Sequence, residues 1–153
     1  MNEFIISDEL YTAIGSELKK NLILEMRRTG SIATGSLLNS LQMEVTKGAD
    51  GNAVVSIAAN DYITNIEEGR KPGKYAPISP LKEWIKAKGI ATDDKKVTSI
   101  AFAINNKIKK EGIKPRPILE KAYTSGLPMY DTIITDVLNN DLDKYLNEAL
   151  NNL

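Results

Sequence analysis

Three carboxylates and three cations stand close together near the middle of the chain: Asp61, Glu67 and Glu68 precede the run Gly69-Arg70-Lys71-Pro72-Gly73-Lys74. Neighbouring carboxylates can hold a hard divalent cation or divide acid and base duties, but beside Arg and Lys they can equally pair with the loop or stay solvated. The glycine-containing run resembles a phosphate loop only superficially. Its glycines are one residue too close, Tyr75 stands where Ser or Thr would meet magnesium, and no buried strand precedes it. Tyr62, Tyr75, Trp84 and Tyr123 could stack bases between lysines. With aromatics at 6% of the chain and at core-like spacings, they read first as packing residues. The chain has no Cys and no His, which removes thiol nucleophiles, disulfides, the usual zinc ligands and the commonest general base. No catalytic set, metal or cofactor is expected.

The stretch that must position these groups runs from Tyr62 to Ile90. Gly69 and Gly73 permit positive φ, while Pro72 and Pro77 fix φ and withhold a donor, so residues 69–77 read as an irregular surface loop, a hinge between two halves. With few apolar residues to pack, residues 69–76 are expected to be mobile in an isolated subunit. Ser79 offers an N-cap and Pro80 a first helical position, and Gly89 offers a left-handed stop. Leu81, Trp84 and Ile85 are the expected core face of the helix between them.

At 153 residues and 42% apolar content the chain reads as a single domain able to bury a core. No apolar run is long enough to span a bilayer, and the start MNEFIISDEL lacks the basic beginning of a secretory signal, so no membrane partner is expected. Net charge is zero but segregated: residues 1–68 carry 5 Lys/Arg against 10 Asp/Glu, residues 69–121 carry 14 against 5, and residues 122–153 carry 1 against 5. A basic middle between acidic ends can steer an anionic partner or let copies meet acidic face to basic face, although solvated helix surfaces are the plainer reading.

In chain order, Leu10, Ile14, Leu18, Leu22 and Met26 mark a first long helix, capped by Ser7 or Asp8 and stopped at Thr29-Gly30. A turn from Thr34 to Leu41 leads into alternating residues 42–46, and residues 53–59 are rich in β-branched and small side chains. The turn formers between them complete a hairpin. Residues 62–68 read as a short helix or bend. Val97, Ile100, Ala101, Ile104 and Ile108 mark another helix, ended by Gly112, and Pro115-Arg116-Pro117 is forced extended. Residues 117–124 fit either a strand or a helix start. A C-terminal helical extension is expected from about Leu127, with a bend near Asn139-Asn140-Asp141. The fold class is α+β: a small antiparallel sheet, a hairpin plus one or two strands, packed against long N-terminal, central and C-terminal helices.

The order of these segments resembles the neck and tail-completion proteins of tailed bacteriophages. The resemblance is carried by the Thr34-Gly35 turn, the Glu68-Gly69 pair, the Trp84-Ile85 helix, the run A-F-A-I-N-N-K-I and the segment Pro115-Arg116-Pro117-Ile118-Leu119, and it spans residues 8 to about 138. It implies a non-enzymatic virion subunit, made in the host bacterial cytoplasm. Such a subunit assembles as a homo-oligomeric ring of six or twelve copies that joins head to tail or terminates the tail. Other neck, portal-adaptor or tail-tube proteins would be its partners, with at most non-specific contact to DNA in the channel. Within that reading Arg70, Lys71, Lys74, Glu67 and Glu68 are the expected contacts to a neighbour. The alternatives are a nucleic-acid-binding module using the basic middle and a small metal-dependent hydrolase using Asp61, Glu67 or Glu68.

Overall fold

The computed structural model describes residues 6–31, 35–49, 52–59 and 62–151. Thr34 and Asp61 lie outside them, as do Asp50 and Gly51 of the hairpin turn. The chain falls into two compact units, one comprising Met1–Leu24, Gln42–Ala58 and Glu120–Leu153, the other Glu25–Leu41 and Ala59–Leu119.

The first unit contains most of helix α1 (Asp8–Arg28), the strands β1 (Gln42–Lys47) and β2 (Ala53–Ala58), and most of helix α6 (Ile118–Asn151). The strands pair antiparallel with Met43 opposite Ile57 and Val45 opposite Val55. These four side chains are half-buried while their neighbours along the strands are exposed, the alternation that sets a hairpin's register. Gly15 of α1 lies against this face: a Cβ there would overlap Met43 and come within 2.8 Å of Val55 Cγ1. Leu10, Leu22, Ala122, Tyr130 and Val137 are buried.

At the start of α1 the Ser7 backbone N–H donates to Asp141 Oδ2 at 2.9 Å. That bond holds the Asp141 carboxyl below its usual range, against the opposing effect of burial. A carboxyl whose folded pKa is depressed contributes stability above its unfolded pKa, and the contribution is lost as pH falls through the folded value. We therefore expect the thermal midpoint to drop more steeply below about pH 4 in the parent than in Asp141→Asn, followed by circular dichroism. Equal slopes would contradict the bond.

The second unit holds the end of α1, the short α2 (Ser36–Ser40), α3 (Tyr62–Glu68), α4 (Ile78–Ala87) and α5 (Asp94–Glu111). The chain leaves α1 by a bond from Ser31 N–H to the Met26 carbonyl at 2.9 Å, with Gly30 at φ 65°, as the Thr29-Gly30 stop required. Ile85, Val97 and Ala101 form a core cluster to which Ile78, Leu81, Trp84, Ile100 and Ile104 add partly buried surface. Asp93 caps α5 by accepting from the Lys96 N–H, and Gly112 ends it.

The α+β class is the one expected, with the sheet among the described residues confined to the hairpin. In place of a further strand there is a single antiparallel bridge, Arg70 to Ile113. Helix α4 starts at Ile78, two residues before the expected Pro80, and its N-cap is Pro77. Pro80 then occupies the third helical position, where the N–H is still one of the four without an intrahelical acceptor, so the ring costs no hydrogen bond. Of residues 117–124, those from Ile118 onward are helix and Pro117 precedes it. α6 begins at Ile118, well before Leu127, and runs unbroken for 34 residues through Pro128 and through 139–141, where a bend was expected. Buried Ala122, Tyr130 and Val137 on both sides of Pro128 supply the packing that holds the helix across a residue with no donor.

Candidate partner-binding cavity

The loop at Gly69 is built by its contacts with the segment after α5. Arg70 N–H donates to the Ile113 carbonyl at 2.8 Å and Ile113 N–H returns the bond at 2.7 Å. Gly73 N–H reaches the Lys109 carbonyl at 2.7 Å. Asn105, buried on α5, grips Ala76 from both sides, its Oδ1 accepting from the Ala76 N–H at 2.7 Å and its Nδ2 donating to the Ala76 carbonyl at 2.9 Å. The Lys109 ammonium sits 4.4 Å from the centre of the Tyr75 ring. Expected to be mobile for want of packing, the loop has instead found backbone partners, which its polar composition could not reveal. Asn105→Ala removes both of its bonds and leaves the Ala76 amide and carbonyl without partners. It is expected to cost about 2 kcal/mol in denaturant unfolding, the middle of the range for two neutral hydrogen bonds.

Behind this loop lies a cavity of about 570 Å³, wholly within the second unit. Leu81 and Trp84 of α4, Ile104 and Ile108 of α5, Ile66 of α3 and Ile113 give it apolar walls. Arg70, Lys88, Lys114 and Arg116 stand among its lining residues, which include no carboxylate among those described. Arg116 Nη1 donates to the Thr29 carbonyl at 3.0 Å and the Lys88 ammonium to the Gly30 carbonyl at 3.2 Å, so both cations meet the negative end of α1. The Arg70 guanidinium donates through Nη2 to the Tyr75 carbonyl at 2.8 Å, while its buried Nε has no acceptor. An apolar chamber of this size with a few convergent charged groups is the ordinary form of a binding site.

The expected contact residues divide around it. Arg70 lines the cavity, whereas Lys71 and Lys74 are exposed on the loop and are not among its lining residues. Glu67 has a structural task, its Oε2 accepting the Leu119 N–H at 3.0 Å and so capping the first turn of α6. Glu68 is exposed. Of the expected core residues, Ile85 is fully buried, while Leu81 and Trp84 are half-buried and turn part of their surface to the cavity. Trp84 is therefore packing residue and cavity wall together. Lys88, Lys114, Arg116 and Asn105 had no assigned role in the sequence reading; the forced-extended Pro115-Arg116-Pro117 segment was the available signal, because an extended strap displays its side chains outward. Comparison with known proteins finds no family model, no curated protein and no solved structure that matches this chain.

Proposed function

We propose that the chain is a ring-forming structural subunit of a tailed bacteriophage, placed in the neck or at the end of the tail, with six or twelve copies closing the ring. The observation that supports this reading is the convergence of the segments that carry the resemblance. Gly69 packs on residues 113–115, Glu67 caps the helix that opens at Ile118, Asn105 holds Ala76, and Trp84 and Arg116 line the cavity. Segments far apart in sequence thus build one chamber, apolar within and cationic at its edge, suited to receive protein side chains that carry acidic neighbours. Phosphate recognition would use the same cations but has no use for walls of Leu, Ile and Trp, so a protein contact is preferred to DNA. No helix among the described residues is long and apolar enough to cross a membrane.

Sedimentation of the full chain at rising concentration tests the ring. The expected species are six or twelve times 16.8 kDa. A chain that stays at the mass of one copy at every concentration would overturn it.

A further inference from the structure

The last part of α6 carries a row of leucines that its own fold leaves in water. Leu142, Leu146 and Leu150 are 45%, 48% and 67% exposed and recur every four residues, so they lie along one side of the helix. Large apolar side chains are commonly exposed one at a time; three in register form a surface made for contact. The helix around them is acidic. Asp136, Asp143 and Glu148 are exposed, and Lys144 is the one Lys or Arg between residues 122 and 153.

The cavity of the second unit has the opposite character in both respects. Its walls are apolar, and Arg70, Lys88, Lys114 and Arg116 stand around them without a carboxylate among the described lining residues. The Nε of Arg70 is buried with no acceptor, a donor that an incoming carboxylate or carbonyl would satisfy. We propose that the cavity of one copy receives the leucine row at the end of α6 of a second copy, its acidic flanks meeting the cationic edge. This deepens the ring reading and rests on it. The two surfaces are different patches of one chain, so the contact is heterologous and repeats from copy to copy until it closes. It is the helix-in-groove mode, with anchors one turn apart entering an apolar groove.

Two full-length variants separate the halves of the contact. Leu142→Ser, Leu146→Ser and Leu150→Ser together remove the insert and leave the cavity. Lys114→Glu with Arg116→Glu reverses the edge and leaves the insert. All five side chains are exposed; the leucine variant should melt like the parent, and the charge-reversed one, which loses the Arg116 bond to the Thr29 carbonyl, somewhat lower but with the same cooperativity. Should the triple variant fail to fold, Leu146→Ser alone carries the same test with a smaller effect. Each variant alone is expected to sediment as one copy where the parent assembles, self-association falling roughly a hundredfold or more as central anchors are lost. Mixed, they are expected to pair one to one, because each supplies the half that the other lacks. Trp84, the only Trp, lines the cavity, so in the leucine-free variant its fluorescence should move to shorter wavelength and saturate at one equivalent of the charge-reversed partner.

Failure to pair, or pairing with no change at Trp84, would overturn the proposal. Either variant alone assembling as the parent does would overturn this docking while leaving the ring. A parent that never assembles would overturn the ring and the docking with it.

Discussion

Gly69→Ala is expected to lower the stability of the chain by roughly 4 kcal/mol, combining the cost of a left-handed Ala with that of overpacking. Gly69 has φ 70°, a conformation an L side chain adopts at a cost, and an added Cβ would overlap the Ile113 carbonyl oxygen and lie 2.7 Å from Pro115 N and 2.9 Å from Lys114 C. These are backbone atoms, two of them next to the bridge to Arg70, so no rotamer change can relieve the overlap. Gly112, at φ 75°, faces the Arg70 carbonyl across the same bridge. The two glycines are therefore one device that lets two chain segments touch backbone to backbone. Gly112→Ala should cost about as much, and the double variant less than the sum, because either change alone forces the segments apart. Chemical denaturation of the full chain reads all three. A Gly69→Ala chain within about 1 kcal/mol of the parent would show that the loop does not pack on residues 113–115.

Gly15→Leu is the second large effect, expected at about 3 kcal/mol, the upper end for overpacking. The helix face at Gly15 is flush with the hairpin, with Val55 Cγ1 only 2.8 Å from an ideal Cβ and Met43 overlapping it. Met43 is flexible enough to give way to a single methyl, so Gly15→Ala should be mild. A leucine has to displace the half-buried β-branched Val55 as well. Coupling the change to Met43→Ala should restore part of the loss, a partial rescue that a purely helical effect of Gly15 would not give. If Leu and Ala at this position melt alike, the hairpin does not rest on α1 here.

Local patterns made much of this fold legible. The four-residue rhythm from Leu10 to Met26, the alternation at 42–46, the β-branched and small residues of 53–59 and the stops at Gly30, Gly89 and Gly112 each record an element in a few neighbouring residues. The start of α6 was harder to read. Pro115 and Pro117 argue for extended chain, and the cap that begins the helix is the side chain of Glu67, 52 residues away. The pinning of the loop escaped for the same reason, since the two bonds of Asn105 to Ala76 span 29 residues and leave no trace in either segment. Charge counting located the basic middle but not its use: Lys71 and Lys74, the most conspicuous cations of the loop, stay on the surface, while Lys88, Lys114 and Arg116 surround the cavity. Sequence periodicity marks which residues of a helix are apolar. Whether such a residue as Trp84 fills a core or walls a chamber depends on what the other segments leave open.

The proposed ring in a phage particle is tested most directly by a reconstruction of particles made from the genome that encodes this chain. Six or twelve copies are expected around the axis at the head-to-tail junction or the tail end, each with the end of its α6 seated against its neighbour. Particles with a single copy there, or with none, would contradict it.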